Sequence, residues 1–278
     1  MESSLERLSH SSNVHLIDCS IRAVAAPLEH LKKFIISCRN LKILRLRQSP
    51  DSVYDVMGGS WRWSFQYEEG DVFPPLQELT IQNYRLHDYG LQSDDPYKIW
   101  DCSMLSHLEL RNCQELNFLE ALQKLQPCIR TLILDNDFQM LSRLDRPSAH
   151  PGLMNPSLNS LVLRCIGLEH LHVSSVCGRL PLPTVAKHGS TLRSLTLRER
   201  DRWRPVAAVS SPNLTAEDLD LVDASCPHLE SLAVDMERSE QWVRAGRISP
   251  CSPSGTKQSS VTLLSRNQKH GWNGYGQP

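Results

Sequence analysis

Apolar residues along this chain recur in short windows of the form Leu-x-x-Leu-x-(Leu/Ile/Val). The windows start at Leu41, Leu76, Leu105, Leu158, Leu168, Leu192 and Leu229, and at Ile129, where Ile takes the lead position. Chance composition would supply only about one or two of them. The later apolar residues of a window stand two apart, as Leu44 and Leu46 do, so they share one face of a strand. Between windows the spacing changes to three or four. Residues 27–37 place Leu28, Leu31, Phe34 and Ile35 on one helical face, with Lys32 and Lys33 off it. Residues 117–126 repeat Leu119, Leu122 and Leu125 at helical spacing. Thr215 and Asp218 have the form of a capping box, and Leu214 can staple onto Leu219 in a helix that runs to about Ser225. Residues 184–188 read as a short helix stopped by Gly189.

Strand and return segment therefore alternate from one end of the chain toward the other. The windows at Leu158 and Leu168 are too close to be separate units, so residues 159–166 are read as a return helix and residues 167–173 as the strand. Start-to-start spacings are then 35, 29, 24, 39, 24 and 37 residues. Ahead of the first window, Val14, Leu16, Ile17 and Cys19 suggest the strand of a degenerate first unit. A strand of this pattern followed by a return segment is the signature of a leucine-rich repeat. The expected fold is an α/β leucine-rich-repeat solenoid over residues 1–242: a curved parallel sheet with outer helices and loops, in about seven irregular repeats. Such an array is not bound by the usual size of a single core, because each unit packs only on its neighbours.

Two insertions interrupt the pattern. Residues 49–75 carry Trp61, Trp63, two adjacent acids at Glu68 and Glu69, and Phe73, and are expected to form an ordered surface loop. Trp61 and Trp63 read either as partner anchors or, more simply, as cover for the solenoid edge. Residues 87–100 form the second insertion. From residue 243 the repeat stops, and residues 243–278 are expected to be a disordered basic tail foreign to the fold. They hold Arg244, Arg247, Lys257, Arg266 and Lys269 with no acid and little apolar surface.

The formal net charge of −1 gives no field directed at nucleic acid or an anionic membrane. No apolar run reaches the roughly 18–20 residues of a membrane span. Nothing near Met1 reads as a secretory signal, so the expected compartment is cytoplasmic or nuclear. The nine cysteines are then expected to be reduced and structural. Cys38, Cys102 and Cys226 each precede the first Leu of a window by three residues, while Cys113 and Cys165 follow the last residue of one.

Alternation assigns the remaining strand positions to the expected concave face. The candidate protein-binding residues there are Arg45, Arg47, Glu78, Gln82, His107, Glu109, Arg111, Asp135, His170, His172, Arg198 and Asp235. Mixed signs and few aromatics suit a protein ligand better than nucleic acid. Leu108 is expected to carry packing, and Glu109 beside it to be dispensable for stability. No catalytic motif is present, so no catalytic residue and no cofactor are expected. The rival reading is a metal-binding protein or enzyme using His170 and His172, which alternate on one strand face; a third ligand would have to come from a neighbouring unit, with Asp135 the candidate. A truncated gene product without an independent role is a third reading.

The windows Cys38-Arg-Asn-Leu41 and Cys226-Pro-His-Leu229 resemble repeats of F-box/leucine-rich-repeat proteins. Phe73-Pro-Pro-Leu76, Trp100-Asp-Cys-Ser-Met-Leu105 and His188-Gly-Ser-Thr-Leu192 look like the divergent leucine-rich-repeat proteins of filamentous fungi. The likeness covers about residues 12–242. It implies a substrate receptor of a cullin-type ubiquitin ligase of the SCF kind, joined to the ligase through a Skp-type adaptor. Residues 1–40 depart from that family, since they show no recognisable F-box.

Overall fold

A computed structural model describes residues 13–21, 28–48, 65, 68, 70–83, 99–111, 113, 119, 122, 128–136, 156–175, 180–199, 214–236 and 260–265. Nine strands lie among them: β1 (Leu16–Ile21), β2 (Ile43–Gln48), β3 (Glu78–Gln82), β4 (His107–Arg111), β5 (Thr131–Asn136), β6 (His170–Ser175), β7 (Ser194–Glu199), β8 (Ser231–Met236) and β9 (Ser260–Ser265). They form one sheet in chain order, every neighbouring pair parallel. A parallel neighbour can be reached only by a connection that returns to the start of the next strand. Repeating that step without reversal gives a solenoid-like α/β arrangement. The helices are α1 (Leu28–Ser37), α2 (Pro156–Arg164), α3 (Leu182–Ala186) and α4 (Ala216–Ser225).

Strand register converts the windows into rows. One row runs Ile17, Leu44, Leu79, Leu108, Leu132, Leu171, Leu195 and Leu232. A second, two residues on, runs Cys19, Leu46, Ile81, Leu110, Leu134, Val173, Leu197 and Val234. These rows share one apolar core with Ile35, Leu161, Val162, Val185 and Val222 of the helices, so the helices cover the leucine face. Burial is complete in the middle and partial at the ends, where Ile17, Cys19 and Leu232 are half-buried.

The strands are also joined by a repeated backbone device. The carbonyl just ahead of each strand accepts two N–H groups of the next coil. Lys42 O accepts from Gln77 and Glu78, Ser106 O from Arg130 and Thr131, Arg130 O from Glu169 and His170, and Arg193 O from Glu230 and Ser231, all at 2.7–3.1 Å. The same pattern at His15, Gln77 and Glu169 completes the series. These bonds stand at the start of the strand pairs they join and keep to the sheet register.

Return segments follow their local sequence. Thr215 accepts from Asp218 N and Asp218 bonds back to Thr215 N, closing the capping box with Asp in the acidic position. Residues 156–164 are helical, so the Leu158 window is a return helix and not a strand. That helix ends with Cys165 N on Leu161 O at 3.0 Å, and Gly167 at φ +73° turns the chain into β6. Leu119 and Leu122 are helical and buried; the rest of 117–126 lies outside the described residues, as do Trp61 and Trp63.

Four expectations are corrected. Lys32 does not stand off the buried face of α1: it is 1% exposed, with Nζ 2.8 Å from Asp71 and 3.1 Å from Glu29. Burial works against its charge, but hydrogen bonds to Asp71 and Glu29 outweigh this and its pKa is raised. Lys32 thus pins the connection ahead of β3 to the first helix. Phe65 and Phe73 are buried, not displayed on a surface loop; Phe73 stacks on the buried Trp100 at 4.1 Å and the two form a parallel β-bridge. Cys165 belongs with Cys38, Cys102 and Cys226, three residues ahead of Leu168, once its apparent window is recognised as a helix. The last correction concerns residues 243–278. Within the expected disordered tail, Ser260–Ser265 form β9, which adds to the sheet with Val261 opposite Leu232 and Leu263 opposite Val234. The physical reason is an alternation in Ser-Val-Thr-Leu-Leu-Ser that composition averaged over 36 residues concealed. The rest of 243–278 lies outside the described residues.

Candidate functional site

On the face opposite the leucine rows, register assembles three outward rows. The first is Ile43, Glu78, His107, Thr131, His170, Ser194 and Ser231; the second Asp18, Arg45, Thr80, Glu109, Ile133, His172, Thr196 and Ala233. Arg47, Gln82, Arg111, Asp135, Ser174 and Arg198 make the third. Eleven of the twelve sequence-derived candidates are thereby placed on one face. Asp235 is on β8, and its side chain lies outside the described residues.

The two halves of this face differ. From β1 to β5 the charges bind one another. Arg45 Nε donates to Glu78 Oε1 at 2.6 Å, and Arg47 Nη1 to Asp18 Oδ1 at 3.2 Å. Arg111 bonds both Glu109 on its own strand and Asp135 on the next, the latter at 3.2 Å. His107 Nε2 stands 3.9 Å from Glu109 Oε2. Thr80 is buried at 4% exposure even though it points outward, since it lies in register between Arg45 and Glu109. From β6 to β8 the outward residues whose side chains are described are small hydroxyls, Ala233, two imidazoles and Arg198.

Glu109, expected from alternation to be dispensable for stability, sits inside this network. The His107 imidazole, 3.9 Å away and too far for a hydrogen bond, and the Arg111 guanidinium, which does bond it, lower the Glu109 carboxyl pKa from its ordinary value against the opposing effect of burial. A carboxylate whose folded pKa is depressed stabilises the fold above its unfolded pKa and ceases to do so as pH falls through the folded value. The unfolding free energy is expected to drop as pH falls from about 5 toward the depressed value. Glu109→Gln should flatten that part of the profile in urea titrations at stepped pH. An unchanged slope would show that the network contributes nothing.

Among the described residues, the register neighbours of the two histidines are not ligands. His170 has Thr131 and Ser194 as register neighbours, and His172 has Ile133 and Thr196. Asp135, the expected third ligand, pairs in register with Ser174 and is bonded to Arg111. Among the described residues no group of three or more His, Cys, Asp or Glu could hold a metal ion. Burial raises the Cys102 and Cys165 thiols to about 12, which keeps them protonated and poorly nucleophilic. Cys113 Sγ lies 3.3 Å from Ile81 O and Arg111 O, a structural contact at the end of β4.

Sequence reasoning missed what ties the coils together behind the face. Thr184 Oγ1 donates to Asn159 Oδ1 at 2.6 Å, and His188 Nε2 meets Val162 O at 2.7 Å, linking α3 to α2. Burial lowers the His188 pKa, consistent with a neutral ring donating to that carbonyl. No pattern in the return segments announces these partners, because each lies about 25 residues away. Among the described residues no helix is long and apolar enough to cross a membrane. No protein-family model matches the chain, and no curated protein matches it.

Proposed function

We propose that this chain is a leucine-rich-repeat solenoid of about seven irregular units that recognises another protein on its outward strand face, without catalysis. The observation that carries this reading is the set of three outward rows, unbroken across adjacent strands and carried on a separate leucine core. With strands about 4.8 Å apart, eight of them span on the order of 34 Å, enough for a standard protein interface. Mixed charges, hydroxyls and imidazoles supply hydrogen-bonding variety for a protein ligand. The resemblance to F-box/leucine-rich-repeat proteins extends the proposal: the partner is a substrate presented to an SCF-type ubiquitin ligase through a Skp-type adaptor, in the cytoplasm or nucleus.

Affinity capture with the full chain, set beside a His170→Glu/Arg198→Glu variant of equal melting temperature, tests this. A partner held by the first and lost by the second is the expected result. Co-recovery of a Skp-type adaptor would carry the ligase assignment. Partners insensitive to every outward-face substitution would refute the assignment of this face.

A further inference from the structure

At the rim where the strands begin, one residue ahead of the first outward row, charge alternates from coil to coil. Arg130, Glu169, Arg193 and Glu230 precede β5, β6, β7 and β8 in turn. The backbone sets them side by side: Glu169 N donates to Arg130 O at 2.8 Å, Arg193 N to Glu169 O at 2.7 Å and Glu230 N to Arg193 O at 2.7 Å. Along the row, Arg130 Nη1 lies 3.9 Å from Glu169 Oε1 and Arg193 Nη1 lies 3.1 Å from Glu230 Oε1, with all four side chains open to solvent. Ion pairs exposed in this way add little to the fold itself. On the same rim, ahead of their strands, stand Ile166 and Met104, exposed 60% and 56%.

The order of signs is its own complement when read from the other end. A second copy, given a half turn about an axis between the β6 and β7 coils, lays its Glu230 against Arg130 and its Arg193 against Glu169. Symmetry supplies the two reciprocal pairs. A copy brought up the same way round would instead set like charges at the same level. The alternation is confined to these four coils: ahead of β1 to β4 the corresponding residues are His15, Lys42, Gln77 and Ser106.

We propose that the chain forms a twofold dimer through the rim of β5–β8, with Ile166 beside the axis and the four charges along it. Coils are about 4.8 Å apart, so Ile166 and its mate from the other copy lie about one strand spacing from each other along the row. The pair forms an apolar centre with charge around it, a common plan of protein interfaces. Four coils span only on the order of 15–20 Å, the low end of interface size, so the dimer is weak and reversible. The axis runs from the leucine face toward the outward face. Both outward strand faces therefore look the same way, and a ligand carrying two copies of its motif gains avidity. This rim is distinct from the outward face, and the dimer stands whether or not that face binds protein.

Sedimentation equilibrium of the full chain, from about 1 to about 100 μM, provides the test. A monomer–dimer equilibrium in that range is expected, weakened about tenfold when salt rises from about 0.05 to about 0.5 M. Arg193→Glu and Glu169→Arg should each weaken it about a hundredfold, because each sets like charges against one another twice across the axis. Ile166→Asp should weaken it about tenfold or more. Mixed in equal amounts, the Arg193→Glu and Glu169→Arg variants should associate with each other at close to the parental affinity, since every contact between the copies again joins opposite signs. A role for these charges within one chain cannot produce that rescue. A chain that stays monomeric throughout overturns the proposal, whatever other protein the rim then captures. So does a dimer indifferent to Arg193→Glu and Ile166→Asp. Failure of the mixed variants to associate, while each keeps the parental circular dichroism, overturns it as well.

Discussion

Gly189→Ala is expected to lower the unfolding free energy by about 3 kcal/mol or more. Gly189 lies three residues ahead of Leu192, the place that Cys38, Cys102, Cys165 and Cys226 hold in other coils, yet it cannot carry even a methyl group. A Cβ there would meet the Ser225 carbonyl oxygen at 1.7 Å and its carbon at 2.7 Å. Those atoms belong to the end of α4, where Cys226 N caps the helix onto Val222 O, so the obstruction is backbone already committed elsewhere. The methyl group can be admitted only by parting α3 from α4. Gly167→Ala is the matched control. Its Cβ would meet nothing within 4 Å, but its φ of +73° is unfavourable for other residues, so about 1–2 kcal/mol is expected. Urea unfolding of both variants checks the ordering. Equal costs would mean that close approach of the two return segments does not govern Gly189.

Leu108→Ala is expected to cost about 2–5 kcal/mol. Leu108 is fully buried in the middle of β4, between Leu79 and Leu132 in its row, and the truncation opens a cavity that two flanking strands cannot both collapse into. Ser194→Ala, an outward and half-buried position, should stay within about 0.5 kcal/mol of the parent. Because coils contact mainly their sequence neighbours, damage should appear first as faster hydrogen exchange in β3–β5, with β7 and β8 protected longer. A uniform loss of protection along the sheet would contradict that local character.

What could be read in advance follows from how far apart the deciding residues lie. The strand windows, the amphipathic α1 and the Thr215 capping box rest on residues within a few positions of one another, and alternation alone placed the outward rows. Lys32 could not be placed this way. Helical spacing puts it beside the apolar face, and its burial depends on Asp71, which arrives from the β2–β3 connection. Phe73 reads as a loop aromatic because it sits among turn residues, and Trp100, stacked on it at 4.1 Å, and Phe65, 5.7 Å away, help take it out of water. Glu109 is a further case. Its role is set by His107 and Arg111 on the same strand and, through Arg111, by Asp135 on the next. The division of the outward face into a self-paired half and a hydroxyl–imidazole half was present in the strands' composition, but it acquires meaning only when register sets the rows side by side.

The carbonyls that precede the strands have a further consequence. Each coil takes up two N–H groups on one flank and offers two on the other, from His15 through Arg193. In backbone terms one turn of the chain is therefore interchangeable with another, and a gene that gained or shed a whole turn would present no foreign junction. What distinguishes the turns is confined to the outward side chains and to the lengths of their returns. Lengthening, shortening and retargeting of such a molecule can proceed separately.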